Sequence, residues 1–369
     1  MNIIVPQYEI IEQDKGLEGM FKHIEKCGRT CYRSEDKITD DSYQKFIKML
    51  ENANHGAMLE HGTVYLTIPI GTPVDDPQYM WKFDIMKFFM NNKYSVVKHK
   101  VINKNVDVEI KGFGTKTQAS ANFYFITTNW RVIFEAQDKK LVKYFLNNYH
   151  IDKETLKDSV LQWMTEPTED HEKRYTVRFT YHLAVARDIN RHRVQSIGEE
   201  STRYCNYSKE KFGAELNIIE PVFFSDLAKT RINSENQWSL KTMCRLIAQG
   251  RENEMDDIDM WRFVNLACEF GYKYNVDVFK WTPQQASLML PLDTKTCSVH
   301  TAFISDWIHF FNLRALGTTG SPRPSAKEVA WPLMEEFIKR GYISRENINE
   351  ERYIEIVNKY PNIEEYIKK

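Results

Sequence analysis

The chain has 369 residues, 50 basic and 51 acidic side chains, a formal net charge of −1 and 42% hydrophobic residues. That composition excludes extensive disorder. The near-zero charge removes a global electrostatic case for nucleic acid or an anionic membrane, leaving room only for a local basic pocket.

No run of about 18 apolar residues occurs, so no membrane span is expected. The start MNIIVPQYEIIEQDKG has no basic n-region or small-residue cleavage site, and no signal peptide is expected. The cysteines at 27, 31, 205, 244, 268 and 297 form no CxxC pair. A reduced, cytoplasmic protein follows. Cys27 and Cys31 lack a second ligand pair, so no metal is expected.

In chain order, the first 60 residues read as helical. Asp41 and Gln44 resemble a capping box ahead of an apolar stripe of Phe46, Ile47 and Leu50. In LEHGTVYLTIPI, Val64, Leu66, Ile68 and Ile70 alternate as in a half-buried strand, and Pro69 marks an edge or a strand end. Residues from about 72 to 170 are rich in Asn and Lys and read as an insertion packed on a single domain spanning 1–369. Within it, KHKVINKNVDVEIK suggests a hairpin turning at Asn-Lys-Asn, and ANFYFITTNWRVIFEAQ a strand entering a helix. YTVRFTYHLAVARDINRHR begins as a strand with Val177, Phe179, Tyr181, Leu183 and Val185 on one face, then enters a short helix carrying a basic cluster. Thr282-Pro283-Gln284-Gln285 marks a helix start. Ser325 and Glu328 repeat the Ser-x-x-Glu pattern, and Gly341 ends that helix. A helical tail is expected at about 342–369. Helices dominate over four to six strands, without regular alternation, which is an α+β pattern.

Chemistry concentrates in RHRVQSIGEESTRYCNYS, residues 191 to 208. Arg191, His192, Arg193, Ser196, Glu199, Glu200, Ser201, Arg203 and Tyr204 form a set suited to an anionic ligand. Arginine forks bind planar anions in bidentate fashion, and hydroxyls complete the cradle. A solvated helix end is the alternative, weakened because the cluster follows an apolar strand and interleaves Ser, Gly and Tyr. In DWIHFFNLRAL, read as helix, Phe303, Trp307, Phe310 and Arg314 share one stripe. Arg314 is then either a ligand contact or half of a structural ion pair. His55 and His61 flank the first strand, as core or functional residues. Cys205 has no evident base to make it a nucleophile. GxGxxG, GxxxxGK[ST] and GxSxG are all absent.

Arg191-His192-Arg193, seven residues and then Ser201 resemble the signature of the flavin-dependent thymidylate synthases. The extended pattern RHRxxSxNExSxRY matches at Arg191, His192, Arg193, Ser196, Glu199, Ser201, Arg203 and Tyr204, with Gly198 where Asn is usual. HGAMLEHGTVYLTI is similar to the family's His-x-x-x-x-Glu-His segment, and LMLP with FFNLRAL to its C-terminal elements.

The resemblance implies a small antiparallel β-sheet flanked by helices and a homotetramer with sites shared between subunits. It implies FAD-dependent reductive methylation of dUMP to dTMP. Methylenetetrahydrofolate would give the carbon and NADPH would reduce the flavin. Carried over, Arg191, His192 and Arg193 contact FAD, joined by Glu199, Thr63 and His309. Arg191, Glu199, Ser201 and Arg203 line the nucleotide site. Arg314, Ser201 and His61 are the catalytic candidates, with Arg314 polarising the uracil.

Besides Gly198, four positions depart from the family. Asp188 stands for a nucleotide-binding Gln, Ser287 for a phosphate-binding Arg, Phe303 for a flavin-contacting Asn and His309 for a common Asn. Lys295 is the candidate replacement for the phosphate ligand. Two alternatives stay open: another pyrimidine nucleotide, UMP or dCMP, on the same fold, and a non-enzymatic nucleic-acid binder.

Overall fold

The structure is a computed structural model that describes residues 1–71, 78–110, 113–135, 139–150, 152–210, 213–232 and 237–369. The expected insertion boundary at about residue 72 lies outside the described residues. In chain order the described strands are β1 Asn2–Ile4, β2 Gln7–Ile11, β3 Thr63–Ile70, β4 Val96–Ile110, β5 Phe113–Asn129, β6 Arg174–His182, β7 Ser196–Glu199, β8 Asn217–Ile219 and β9 Lys295–Phe303. Helices make up most of the rest, so the class is α+β with small sheets. These strands outnumber the four to six expected, because several have only three to five residues.

The chain divides into two compact units. The first comprises Met1–Ile11, Gly28–Asp36 and Val177–Lys369. Its larger sheet has the order β2-β6-β9-β7, and β1 pairs in parallel with β8. β7 runs antiparallel to β9, with Ser196 opposite Thr301 and Glu199 opposite Ser298. The expectation that the first 60 residues are helical fails at β1 and β2.

Val177, Phe179 and Tyr181 are fully buried on one face of β6, as their alternation implies. Leu183 and Val185 do not continue that face: the chain turns into the helix Leu183–Ile189 straight after His182. The basic cluster therefore follows this helix instead of riding on it. The helix Ile304–Arg314 starts after Phe303, which ends β9, so the buried aromatic stripe is Trp307, Phe310 and Phe311. Thr282 and Gln285 form the expected reciprocal capping box. The helix Pro324–Lys339 begins one residue before Ser325, with Arg323 at its N-cap, so the expected Ser-x-x-Glu cap is not made there. Gly341, at φ +69°, follows that helix's end.

The second unit comprises Glu12–Cys27 and Lys37–Thr176. Its sheet has the order β3-β5-β4, all antiparallel, which makes β3, with Pro69, an edge strand. Val64, Leu66, Ile68 and Ile70 are buried as expected. Asn103-Lys104-Asn105 is not a turn. β4 runs straight through it and pairs with β5 out to Ile110 opposite Phe113. The helix Ser42–Asn52 buries Phe46, Ile47 and Leu50, but the Asp41 side chain makes no capping bond. Among the described residues no helix is long and apolar enough to cross a membrane.

Candidate active site

Within the first unit, the segment Asn190–Gln195 joins the helix Leu183–Ile189 to β7 in tight turns. The His192 amide donates to the Ile189 carbonyl at 3.1 Å, and Gln195 to that of His192 at 3.1 Å. These turns bury His192 and leave Arg191 and Arg193 exposed. Neither arginine has an acceptor bonded to it among the described residues.

His192 lies against Phe310, ring centroids 5.1 Å apart, and His309, 5.9 Å away. Arg314, the last residue of its helix, donates from Nε to His192 Nε2 at 3.0 Å and from Nη2 to the Asp188 carbonyl at 2.6 Å. Burial first, then Arg314 and His309, lower the His192 pKa to about 4. The ring is therefore neutral at physiological pH, accepting at Nε2 and carrying its proton on Nδ1. Arg314 makes no carboxylate pair among the described residues, because the Asp188 carboxylate bonds instead to Arg323 at 3.0 Å. Of the two sequence readings of Arg314, the structural ion pair is thereby lost.

Glu199 and Glu200 point opposite ways. Glu199 accepts from Asn190 Nδ2 at 2.7 Å and Thr296 Oγ1 at 3.1 Å, and burial raises its pKa. It lines a cavity of about 290 Å³ with Arg187, Asn190, Thr202 and Ser287, floored by Leu183, Leu290 and Leu292. That is near the lower limit of small-molecule pockets, roughly 300–1,000 Å³. Glu200 turns inward, accepting from Lys295 Nζ at 2.6 Å and from the Tyr207 hydroxyl at 3.3 Å. Lys295, expected to meet a substrate phosphate, is already engaged: its side chain is 11% exposed and that of Glu200 1%.

Ser201 is half-buried, and its hydroxyl accepts from the Arg203 amide at 3.3 Å. Arg203 is exposed and donates from Nε to Gln284 Oε1 at 3.3 Å, beside the turn that carries Ser287. Cys205 is 1% exposed and burial pushes its thiol up to about 12, so it is no thiolate nucleophile. Asn206 and Ser208 contribute only a local turn.

His61 and Thr63 belong to the second unit. His61 is fully buried beside Gly62, where a Cβ would come within 2.5 Å of Ile24 Cδ1. Arg174 donates to the Glu60 carbonyl at 3.1 Å and to Thr63 Oγ1 at 3.3 Å.

Sequence reasoning passed over Arg187, Asn190 and Thr296. The signal for the first two was available: Leu183, Ala186, Arg187 and Asn190 follow helical i, i+3, i+4, i+7 spacing and share the face that lines the cavity.

The sequence profile of the family described as "Thymidylate synthase complementing protein" matches residues 129–340, more than half of the chain. The chain belongs to this family. The thymidylate synthase complementing proteins are the flavin-dependent thymidylate synthases, so the resemblance carried by Arg191–Arg193 and Ser201 holds. No curated protein matches the chain. Among solved structures, the chain is similar to the UMP/dUMP methylase PolB from Streptomyces cacaoi bound with 5-Br dUMP. There the identity is 13%, with 92% of this chain and 93% of that chain covered and a TM-score of 0.34. It is also similar to Thymidylate Synthase X from Helicobacter pylori with FAD and dUMP, at 13% identity over 54% of this chain and 76% of that one, TM-score 0.29.

Proposed function

We propose that this protein methylates C5 of a uridylate, converting dUMP to dTMP with bound FAD, methylenetetrahydrofolate as carbon donor and NADPH as reductant. The observation that carries the reading is Arg314. It is a half-buried guanidinium with no carboxylate partner among the described residues, fixed by His192 and the Asp188 carbonyl, in a chain of the flavin-dependent thymidylate synthase family. C5 becomes nucleophilic only if electron density is pushed onto it, and a guanidinium at the N3/O4 edge stabilises the charge-delocalised ring.

The donor set fits FAD. Arg191 and Arg193 are exposed cations free of acceptors among the described residues, flanking a neutral imidazole, as phosphate and polar ring edges require. Arg191, His192 and Arg193 would hold it, with His309 as a further contact; Thr63, in the second unit, would contribute through the shared sites of a homotetramer. Bound there, it supplies the redox chemistry, and the protein binds, orients and excludes water.

Glu199, Ser201 and Arg203 would take the nucleotide's sugar and base. Arg187, facing the cavity without an acceptor bonded to it among the described residues, would meet the phosphate in place of Lys295. For Lys295 to serve, its buried pair with Glu200 would have to open. A homotetramer with shared sites would bring His61 into play as a catalytic residue.

A second reading, UMP or dCMP as substrate, is favoured by Ser287 in the cavity wall and by Asp188 paired with Arg323. Isothermal titration of the flavin-loaded protein with dUMP, UMP, dCMP and deoxyuridine tests both. Tightest binding of dUMP, with deoxyuridine much weaker, is expected, and tightest binding of UMP or dCMP favours the second reading. No binding of any of them removes both.

A further inference from the structure

The family match stops at residue 340, but the chain continues through the helices Glu350–Lys359 and Ile363–Lys368. We propose that this C-terminal segment is a clamp on Arg314, with Tyr366 and Arg352 as its positioning residues.

A helix leaves its last carbonyls without partners inside itself. At the end of Ile304–Arg314, the Phe311 carbonyl takes the Ala315 and Leu316 amides at 2.9 and 3.0 Å, and that of Asn312 takes the Thr318 amide at 3.0 Å. Just past the helix end, the carbonyls of the fully buried Ala315 and Leu316 are met from the tail. The Tyr366 hydroxyl donates to Ala315 at 2.8 Å and Arg352 Nε to Leu316 at 3.3 Å. A third bond lands on the helix itself, from the Asn349 amide to Asn312 Oδ1 at 2.8 Å. The tail thus grips the chain within two residues of Arg314, and places a guanidinium where the helix dipole favours positive charge.

The grip is itself anchored. Lys327, 1% exposed, donates to the Tyr366 carbonyl at 2.6 Å with its ammonium 4.3 Å from the Tyr366 ring. Trp331 packs on the same ring at 5.4 Å and stacks on Tyr353 at 5.7 Å. A buried ammonium is costly unless paired, and here its bonds go to the residue that holds the Arg314 helix. The Arg314 side chain must span to His192 and Asp188, so slack of about 1 Å at its Cα would break both bonds, a displacement that elsewhere costs up to about 100-fold in rate.

The catalytic consequence rests on the role proposed above for Arg314; the effect on the Arg314–His192 bond does not. The test uses Tyr366→Phe and Arg352→Gln in the full-length, flavin-loaded protein, each alone and combined with Arg314→Lys. Histidine labelled with 15N reports the His192 titration by NMR. Each variant is expected to lower kcat by about 3- to 10-fold with little change in nucleotide KM, the scale of one lost hydrogen bond. The His192 midpoint should rise toward its ordinary value, and the loss should not multiply with Arg314→Lys. An unshifted His192 midpoint in both variants, or losses that multiply with Arg314→Lys, would overturn the clamp. If no nucleotide proves to be a substrate, the His192 shift alone decides.

Discussion

Arg314 and His192 form one unit: the guanidinium donates to Nε2 at 3.0 Å, and its proximity helps hold the imidazole neutral. The cation that would polarise the pyrimidine is thus aimed by the middle residue of the segment that would hold the flavin.

Arg314→Lys keeps the charge and most of the stem but removes the planar fork. Flavin content and melting temperature are expected to stay near wild type. Product formation should fall by about 100-fold or more, the scale of one lost transition-state donor. A variant that turns over at nearly the wild-type rate would make Arg314 structural.

Arg193→Ala deletes an exposed guanidinium that would make a charge-assisted contact worth about 1.5–3 kcal/mol. It should purify with less FAD and bind added FAD more weakly. Flavin-to-protein absorbance ratios measure this, and an unchanged ratio with unchanged affinity would remove Arg193 from the flavin site.

The Lys295–Glu200 pair gives opposite expectations for two cations. Lys295→Ala leaves the buried Glu200 carboxylate with Arg33 at 3.6 Å as its remaining cation and should cost about 1–3 kcal/mol of stability, weakening dUMP and deoxyuridine alike. Arg187→Ala should leave stability nearly unchanged and weaken dUMP selectively. Denaturant melts together with titrations of both ligands separate the two. Selective loss of dUMP binding in the Lys295 variant would return the phosphate to Lys295.

Four buried histidines dominate the response to acid: burial lowers His171 as well as the three below, while Glu328, raised by burial to about 7, partly opposes them. Burial lowers His192 and His23 to about 4 and His300 to about 3, all below the ordinary value of 6.5. Below about pH 6.5 the unfolded chain binds protons that the folded chain refuses, so stability is lost as pH falls toward 4. Each such histidine adds a slope of up to about 1.4 kcal/mol per pH unit. Melting temperature should fall steadily from pH 7 to pH 4.5, and a flat profile would mean that these rings are protonated in the native state.

The arginine cluster, the buried face of β6 and the aromatic run before Arg314 were legible because each is a local pattern. β1 and β2 were not, being strands of three and five residues whose sheet partners lie far along the chain. The polar Asn103–Asn105 looked like a turn, but cross-strand pairing with β5 overrode local propensity. Lys295 looked free because its partner Glu200 lies 95 residues away. Arg187 and Asn190 could have been found, since their helical spacing alone puts them on one face.

The most direct test of the central claim is product analysis by the flavin-loaded protein supplied with NADPH and methylenetetrahydrofolate, run in parallel on dUMP, UMP and dCMP. The account predicts NADPH oxidation coupled to dTMP from dUMP, abolished or reduced by about 100-fold in Arg314→Lys. A flavin-loaded protein that oxidises NADPH yet leaves C5 of every nucleotide unmethylated would contradict it.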